Sequence, residues 1–583
     1  MILKALADYY DRLFHDDSAD VPPYGFEDKG IPFVIIIGKD GRFLNIRDTR
    51  TGTGKQQSAR EFRVPLGEKK TSGSKANLLW DNPQYVLGVP KSEKAKDVKK
   101  AKDDHKVFLA RLHKDLDGMT DDGVSAVFRF YETGGIDGCR QHALLSDIME
   151  HNSNITFALD DEVGLIAQRP NVVERIRAIY EEVNGRSCAS AISGEIDEVA
   201  VLHAAIKGVW GAQTSGANIV SFNDEAYCSH GKTKKDQGLN APIGKHNQFA
   251  YTTALNRLLA SENQRMQVGD ASTVFWAKNP CDFEQDFHSF LAPPKGEESV
   301  SYDKIRGLLS AVKTGIPPRE ADLPFYVLGL APNASRIAIR FWYDGNVKEI
   351  KERVAQHFHD LELVRAPHDP EFLSLFQLLV STATERKADN IPPNLGGDVA
   401  RAVLTGIAYP RTLFANAIRR CKAEQSVGFA RASIIKAFLV RNARISKSNQ
   451  KEVSMALDKT YDNIGYVLGR LFAVLERIQE QAQGKGLNKT IRDTYFGAAA
   501  SSPLVTFKRL QDLAIHHLAK IRNSGKGTVW LEQLLQEVTG LIPAQGLPTT
   551  LTLEDQGRFS VGYYHQRQDF FAKKETEEKG EEQ

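Results

Sequence analysis

From residue 372 to residue 541 the apolar side chains recur at steps of three and four, and this period dominates the second half of the chain. It runs through 372–382, 400–407, 411–422, 429–444, 461–483, 503–521 and 529–541. An α-helix turns once in about 3.6 residues, so each segment presents an apolar stripe on one side. Within 461–483 the stripe is Ile464, Leu468, Leu471, Leu475 and Ile478. Within 503–521 it is Leu504, Phe507, Leu510, Ala514 and Leu518, with Ser502 placed to cap the helix and Pro503 at its first position. Such stripes bury against one another, which predicts a helical bundle.

The first 365 residues have a different rhythm. Short apolar or alternating runs predict strands at 31–38 (IPFVIIIG), 42–46, 155–159, 219–222, 273–277 and 338–343. A helix is predicted over 247–259, and the proline pairs 293–294 and 317–318 mark breaks. A chain of 583 residues exceeds what one hydrophobic core serves. The fold class expected is therefore α+β, with a mixed α/β domain over 1–365 and a basic helical region over 366–454. A helical bundle over 455–571 and an acidic, disordered tail over 572–583 complete it.

Charge is distributed unevenly. The formal net charge is +2, yet residues 401–530 carry 22 Lys and Arg against 8 Asp and Glu. A local excess of fourteen positive charges fits a polyanion partner, or a basic face that pairs with acidic parts of the same protein. The first fourteen residues carry Asp8 and Asp11 within a helical pattern, which excludes a signal peptide. No apolar run is long enough to span a membrane. The five cysteines lie far apart without a CxxC pair, so neither a disulfide framework nor a zinc site is expected, and a reducing cytoplasm fits.

Catalytic motifs fail one by one. RTGTGKQQ at 50–57 has Thr49 and Gln56 where a phosphate loop needs Gly and Ser or Thr. GxSxG and HExxH are absent. His15-Asp16 and His359-Asp360 are two-residue signals of a kind that surface residues also supply, and His516 and His517 diverge by about 100° on one helix. No catalysis and no metal or other cofactor are expected.

Two regions fit nucleic acid. Residues 42–75 hold nine Lys and Arg against three acids, among Gly, Ser, Thr and Gln, as a loop following phosphates would. Lys55, Lys69 and Lys70 belong to it, and Lys75, Asn77 and Asn82 follow in 72–88 (SGSKANLLWDNPQYVLG). Asn can reach base edges, though Asn82 before Pro83 is equally a turn former. Residues 401–451 hold eleven basic residues against Glu424 alone, with Arg431, Lys436, Arg441 and Arg444 on one helix. Finally, 208–223 (GVWGAQTSGANIVSFN) sets Gln213, Thr214, Ser215 and Asn218 among Gly208, Gly211 and Gly216, as a close-approach loop or a plain hairpin would.

Ten blocks in order carry a family resemblance. They are ALADYYDRL, SGSKANLLWDNPQYVLG, SGEIDEVAVLHAAIKGVWGAQTSGANIVSFN, GLNAPIGKHNQFAYTTALNRLL and TVFWA, then FYVLGLAPNASRIAIRFW, RAVLTGIAYPRTLF, ARASIIKAFLVRNAR, GYVLGRLFAVLERIQEQA and LEDQGRFSVGYYHQRQDFF. The chain resembles the large subunit of the type I-C CRISPR–Cas interference complex (Cascade) along nearly its whole length. The lysine-rich stretch 91–106 departs most from that family.

The resemblance implies a non-catalytic subunit of an RNA-guided ribonucleoprotein complex for antiviral defence. It implies recognition of the protospacer-adjacent motif on target double-stranded DNA, help in parting the strands into an R-loop, and recruitment of a helicase-nuclease. The partners implied are the guide CRISPR RNA, the repeated backbone subunits, the RNA-processing end subunit and a small subunit made by internal translation. On that basis Lys69, Lys70, Lys75, Asn77 and Asn82 are candidates for the motif-bearing duplex. Gln213, Thr214, Ser215 and Asn218 are candidates for groove contact or a wedge. Arg431, Lys436, Arg441 and Arg444 would hold the displaced strand or the heteroduplex, and Met455 would be the internal start. The alternatives are a metal-dependent nuclease using His359 and Asp360, and a purely structural scaffold.

Overall fold

The apolar run at 31–38 becomes the strand Phe33–Ile37, buried on both sides. The structure, a computed structural model, describes every residue except 17–18, 53–56, 71–74, 184, 230, 293–297, 316–317, 449–450, 485–488, 526 and 572–583. The tail expected over 572–583 therefore lies outside the described residues, as does Lys55. The chain forms two compact units, Leu3–Ala204 with Phe222–Thr253, and Ala205–Ser221 with the residues from Ala254 on.

In the first unit, Phe33–Ile37 pairs antiparallel with Phe43–Asp48 and parallel with Ile155–Leu159, and Trp80–Asp81 closes the four-stranded sheet. Successive strand residues face opposite ways. Phe33, Ile35 and Ile37 accordingly join Phe108, Leu112 and Phe130 in one apolar core, from the helices Ala95–Leu116 and Asp122–Glu132. Val34 and Ile36 join Val64, Trp80 and Ala158 on the other face. Burial on both faces explains why these strands read as unbroken apolar runs.

The second unit contains an antiparallel sheet ordered Arg265–Val268, Ala271–Ala277, Pro324–Asn333, Arg336–Asn346. Its helices include Arg411–Glu424, Phe429–Ile445, Ile464–Gln483, Pro503–Asn523 and Val529–Thr539, each where a stripe predicts one. Two more, Ile491–Ser501 and Leu553–Asp569, carry no clean stripe. One apolar core runs from Phe275 and Phe341 through Phe414 and Phe438 to Leu471 and Phe559. The boundaries expected after 365 and after 454 both fall inside this unit.

Three local expectations change. Residues 219–222 do not form a strand, because only Asn218 bridges to the sheet, at Arg336, and the chain then turns away. Leu504 is 44 % exposed, since Pro503 and Thr506 turn inward in its place. Ser502 stands at the N-cap but makes no side-chain capping bond. The helix Ile464–Gln483 is buried around nearly its whole circumference up to Glu476, more than a single stripe requires. Among the described residues, no helix is long and apolar enough to cross a membrane.

Candidate nucleic-acid interface

The segment around residues 67–88 is organised by one buried carboxylate. Asp81 is 1 % exposed. Lys70 Nζ reaches its two oxygens at 2.5 and 2.7 Å and lies 3.7 Å from the centre of the Tyr85 ring. The backbone amides of Asn77 and Asn82 donate to the same carboxylate at 2.9 and 2.8 Å. A carboxylate removed from water needs such partners, and this one recruits them from both ends of the segment.

That arrangement redirects most of the residues expected to face a duplex. Asn77 is buried, and its side-chain oxygen accepts from the Glu68 amide at 2.8 Å. Asn82 accepts from the Gln84 amide at 3.1 Å and caps the short helix Pro83–Val86, the turn-forming alternative. Lys69 donates to the carbonyl of His203, and burial lowers its pKa. Lys75 alone of this group holds its ammonium in solvent, 3.8 Å from Glu68. On the helix side, Arg111 binds Glu68 at 3.0 Å, pairs with Asp115 and reaches the Ala76 carbonyl at 3.4 Å.

The glycine-rich stretch is a loop on a pinned base. Ile206 and Ala217 exchange backbone hydrogen bonds of 2.8 and 3.0 Å, and the Asn218 carbonyl accepts from the Ile337 amide at 3.1 Å. Trp210 N donates to the buried Ser272 hydroxyl at 2.9 Å, which ties the loop to the sheet. Gly216 has φ +88°, and a Cβ there would meet the Ile206 carbonyl oxygen at 2.8 Å, so only glycine fits. Gln213, Thr214 and Ser215 are exposed at the tip, and Asn218 is half-buried at the base. Trp210 stands 61 % exposed on the same loop. It follows no apolar period in the sequence; a large aromatic next to Gly211 at the head of a run of small and polar residues is the signal that could have found it.

The third group is turned inward. Arg431, Lys436 and Arg441 are 2 %, 6 % and 1 % exposed, contrary to the exposed basic stripe expected for this helix. Arg431 pairs with Glu424 at 2.6 Å and donates to the Ser381 carbonyl at 2.8 Å. Lys436 donates to the His359 carbonyl at 3.2 Å, and burial lowers its pKa. Arg441 binds Asp360 at 2.7 Å, the Ala402 carbonyl at 3.0 Å, and stacks 3.9 Å from the Tyr409 ring centre. Arg444, half in solvent, binds the same Asp360 with two hydrogen bonds of 2.8 Å. Burial pushes the Asp360 carboxyl up, but the bonds from Arg444 and Arg441 outweigh it and hold its pKa below the ordinary value.

His359 and Asp360 do not share a site. Asp360 is spent in the interior, while His359 is exposed with Nδ1 3.2 Å from Glu362. Among the described residues, no group of three or more His, Cys, Asp or Glu side chains could hold a metal ion. Met455 is 49 % exposed in the irregular connection ahead of Ile464–Gln483, and its carbonyl accepts from the Val364 amide at 2.9 Å.

No curated protein matches the chain. A family model does, over residues 6–571, nearly its whole length, and the chain belongs to the CRISPR-associated protein family Cas_Csd1.

Proposed function

We propose that the protein is the non-catalytic large subunit of a type I-C CRISPR RNA-guided surveillance complex. In this role it recognises the protospacer-adjacent motif on target DNA, aids strand separation and R-loop formation, and helps recruit the helicase-nuclease. The observation that carries the proposal is the loop 206–217, whose exposed polar tip and exposed Trp210 stand on a base tied to a sheet. Short polar side chains on a close-approaching backbone can read a groove, and an exposed aromatic ring can stack on or part a base step. Base pairing to the guide reads the rest of the sequence, so a short motif reader with basic surroundings suffices.

The partners of this role are guide CRISPR RNA, target double-stranded DNA, the repeated backbone subunits, the RNA-processing end subunit and the helicase-nuclease. Met455 is the start of a separately translated small subunit; a second product that disappears in Met455→Leu tests this.

The function is tested with the full-length protein assembled on guide RNA and presented with duplexes that carry or lack the motif, the motif being found by selection from a randomised flank. Wild type prefers the motif-bearing duplex. Gln213→Ala with Trp210→Ala loses most of that preference while keeping guide-RNA assembly. Equal binding of both duplexes by wild type would overturn the proposal.

A further inference from the structure

The stretch 91–106 carries seven lysines: 91, 94, 96, 99, 100, 102 and 106. All seven are exposed, and none makes an ion pair among the described residues. Most lie on the helix Ala95–Leu116, whose buried side is Ala101, Asp104, Phe108, Leu112, Asp115 and Leu116. At about 100° per residue, Lys96, Lys99, Lys102 and Lys106 fall together on the opposite side. They form a ridge about 15 Å long.

A solvated helix face normally alternates its charges and closes i,i+4 pairs. Here four lysines share the ridge with one exposed acid, Asp103, and most other acids of the helix are drawn away. Asp104 and Asp115 turn inward, and Asp97 accepts from the Ser92 hydroxyl near the start of the helix. Lys99 and Asp103 stand four apart without pairing. The helix is also fixed to the segment that carries Lys75 and Asp81, through Arg111 to Glu68 and through His105, whose Nδ1 lies 2.7 Å from the Tyr85 carbonyl.

From this we infer a sequence-blind contact for duplex DNA on the ridge of Lys96, Lys99, Lys102 and Lys106, which grips the phosphate backbone of DNA flanking the motif. A straight, rigid ridge matches a straight, rigid polyanion, and about 15 Å of duplex presents roughly nine backbone charges, more than four lysines can engage. The inference rests on the DNA-binding role proposed above and adds to it a site that sets affinity without reading bases.

The test uses the full-length chain and a fluorescent 30-base-pair duplex lacking the motif, titrated by anisotropy between 50 and 200 mM salt. The variant replaces Lys96, Lys99, Lys102 and Lys106 with Gln, and a second replaces all four with Arg. Four lost phosphate contacts flatten the log–log salt slope by about 3.6, so the wild type loses roughly 150-fold more affinity over that range than the Gln variant. The Arg variant keeps the wild-type slope, both variants melt as wild type does, and the preference for a motif-bearing duplex survives in each. An unchanged slope in the Gln variant overturns the inference. So does a loss confined to binding of a guide-RNA transcript, which would assign the ridge to RNA. A flattened slope in a protein whose wild type has no motif preference would leave the ridge standing and defeat the motif-reading role alone.

Discussion

Arg441 and Asp360 lie 2.7 Å apart, and each side chain is 1 % exposed. Removing Asp360 strands the Arg441 charge in the interior, at a cost of roughly 3–5 kcal/mol, whereas removing Arg441 leaves Asp360 its two bonds from Arg444. Asp360→Asn is therefore expected to lower the urea midpoint steeply, and Arg441→Ala to lower it less. Asp360 also makes the protein acid-sensitive. Its folded pKa is depressed, so its contribution is complete above the unfolded value near 3.8 and is lost as pH falls through the folded value. In Asp360→Asn that part of the acid transition disappears. A buried Asp360→Asn protein as stable as wild type, with the same acid profile, would contradict the pairing.

Three histidines give a second pH dependence, at milder acidity. Burial pushes His203 and His565 down to about 4 and His357 down to about 3. Each is neutral in the fold and takes up a proton near 6.5 when unfolded, so the unfolded chain binds more protons between those values. Stability is full above about pH 6.5 and declines as pH falls towards 4. Urea titrations at half-unit intervals should show this slope, and it should shrink in His357→Gln.

Lys436 gives a direct contrast between interior and contact roles. With its ammonium held against a carbonyl and its pKa lowered by burial, Lys436→Met is expected to leave stability unchanged or raise it. The salt slope of DNA binding stays the same. A flattened slope in this variant would mean that the side chain reaches phosphate in the complex.

Gly216→Ala tests the loop without touching its tip. At φ +88°, with the Ile206 carbonyl in the way, alanine must shift the backbone. The expected outcome is a loss of motif preference with a stability change of about 1–2 kcal/mol, since the strain is local. Full preference in Gly216→Ala would show that the tip geometry does not matter.

Gly469→Ala acts on the packing of two helices. An added Cβ would run into the Phe559 carbonyl oxygen, so Ile464–Gln483 and Leu553–Asp569 must move apart. A loss of roughly 1–3 kcal/mol is expected, read as a lower melting temperature.

The strand Ile155–Leu159 matches its sequence-based bounds to the residue, because a strand buried on both faces leaves an unbroken apolar run between polar neighbours. The bundle helices are legible for the corresponding reason at period 3.6. What a local pattern does not contain is the partner of a buried charge. Arg441 meets Asp360 from 81 positions away, and Lys70 meets Asp81 from 11 positions away, so cations that look like a contact surface in sequence become interior struts. The loop 206–217 was visible as a glycine-rich stretch, but its anchoring to Ser272 and Ile337 comes from remote strands. Its expected continuation as a strand failed because strand pairing depends on which edge the chain meets.

The close seating of Gly465, Gly469 and Gly562 bears on the order in which the molecule is made. Gly465 meets the Asp555 backbone and Gly469 that of Phe559, so the two helices run side by side in the same direction, and Gly557 lies against Phe414 and Ile435. The helix Leu553–Asp569 is thus a keystone delivered after nearly everything it locks. Until the ribosome has released it, Phe414 and Ile435 lack their cover, and a chain truncated before Leu553 would display an apolar surface of the kind that chaperones and proteases recognise. Of the helices packed here, the one made last is the one that closes the core around Phe414 and Ile435.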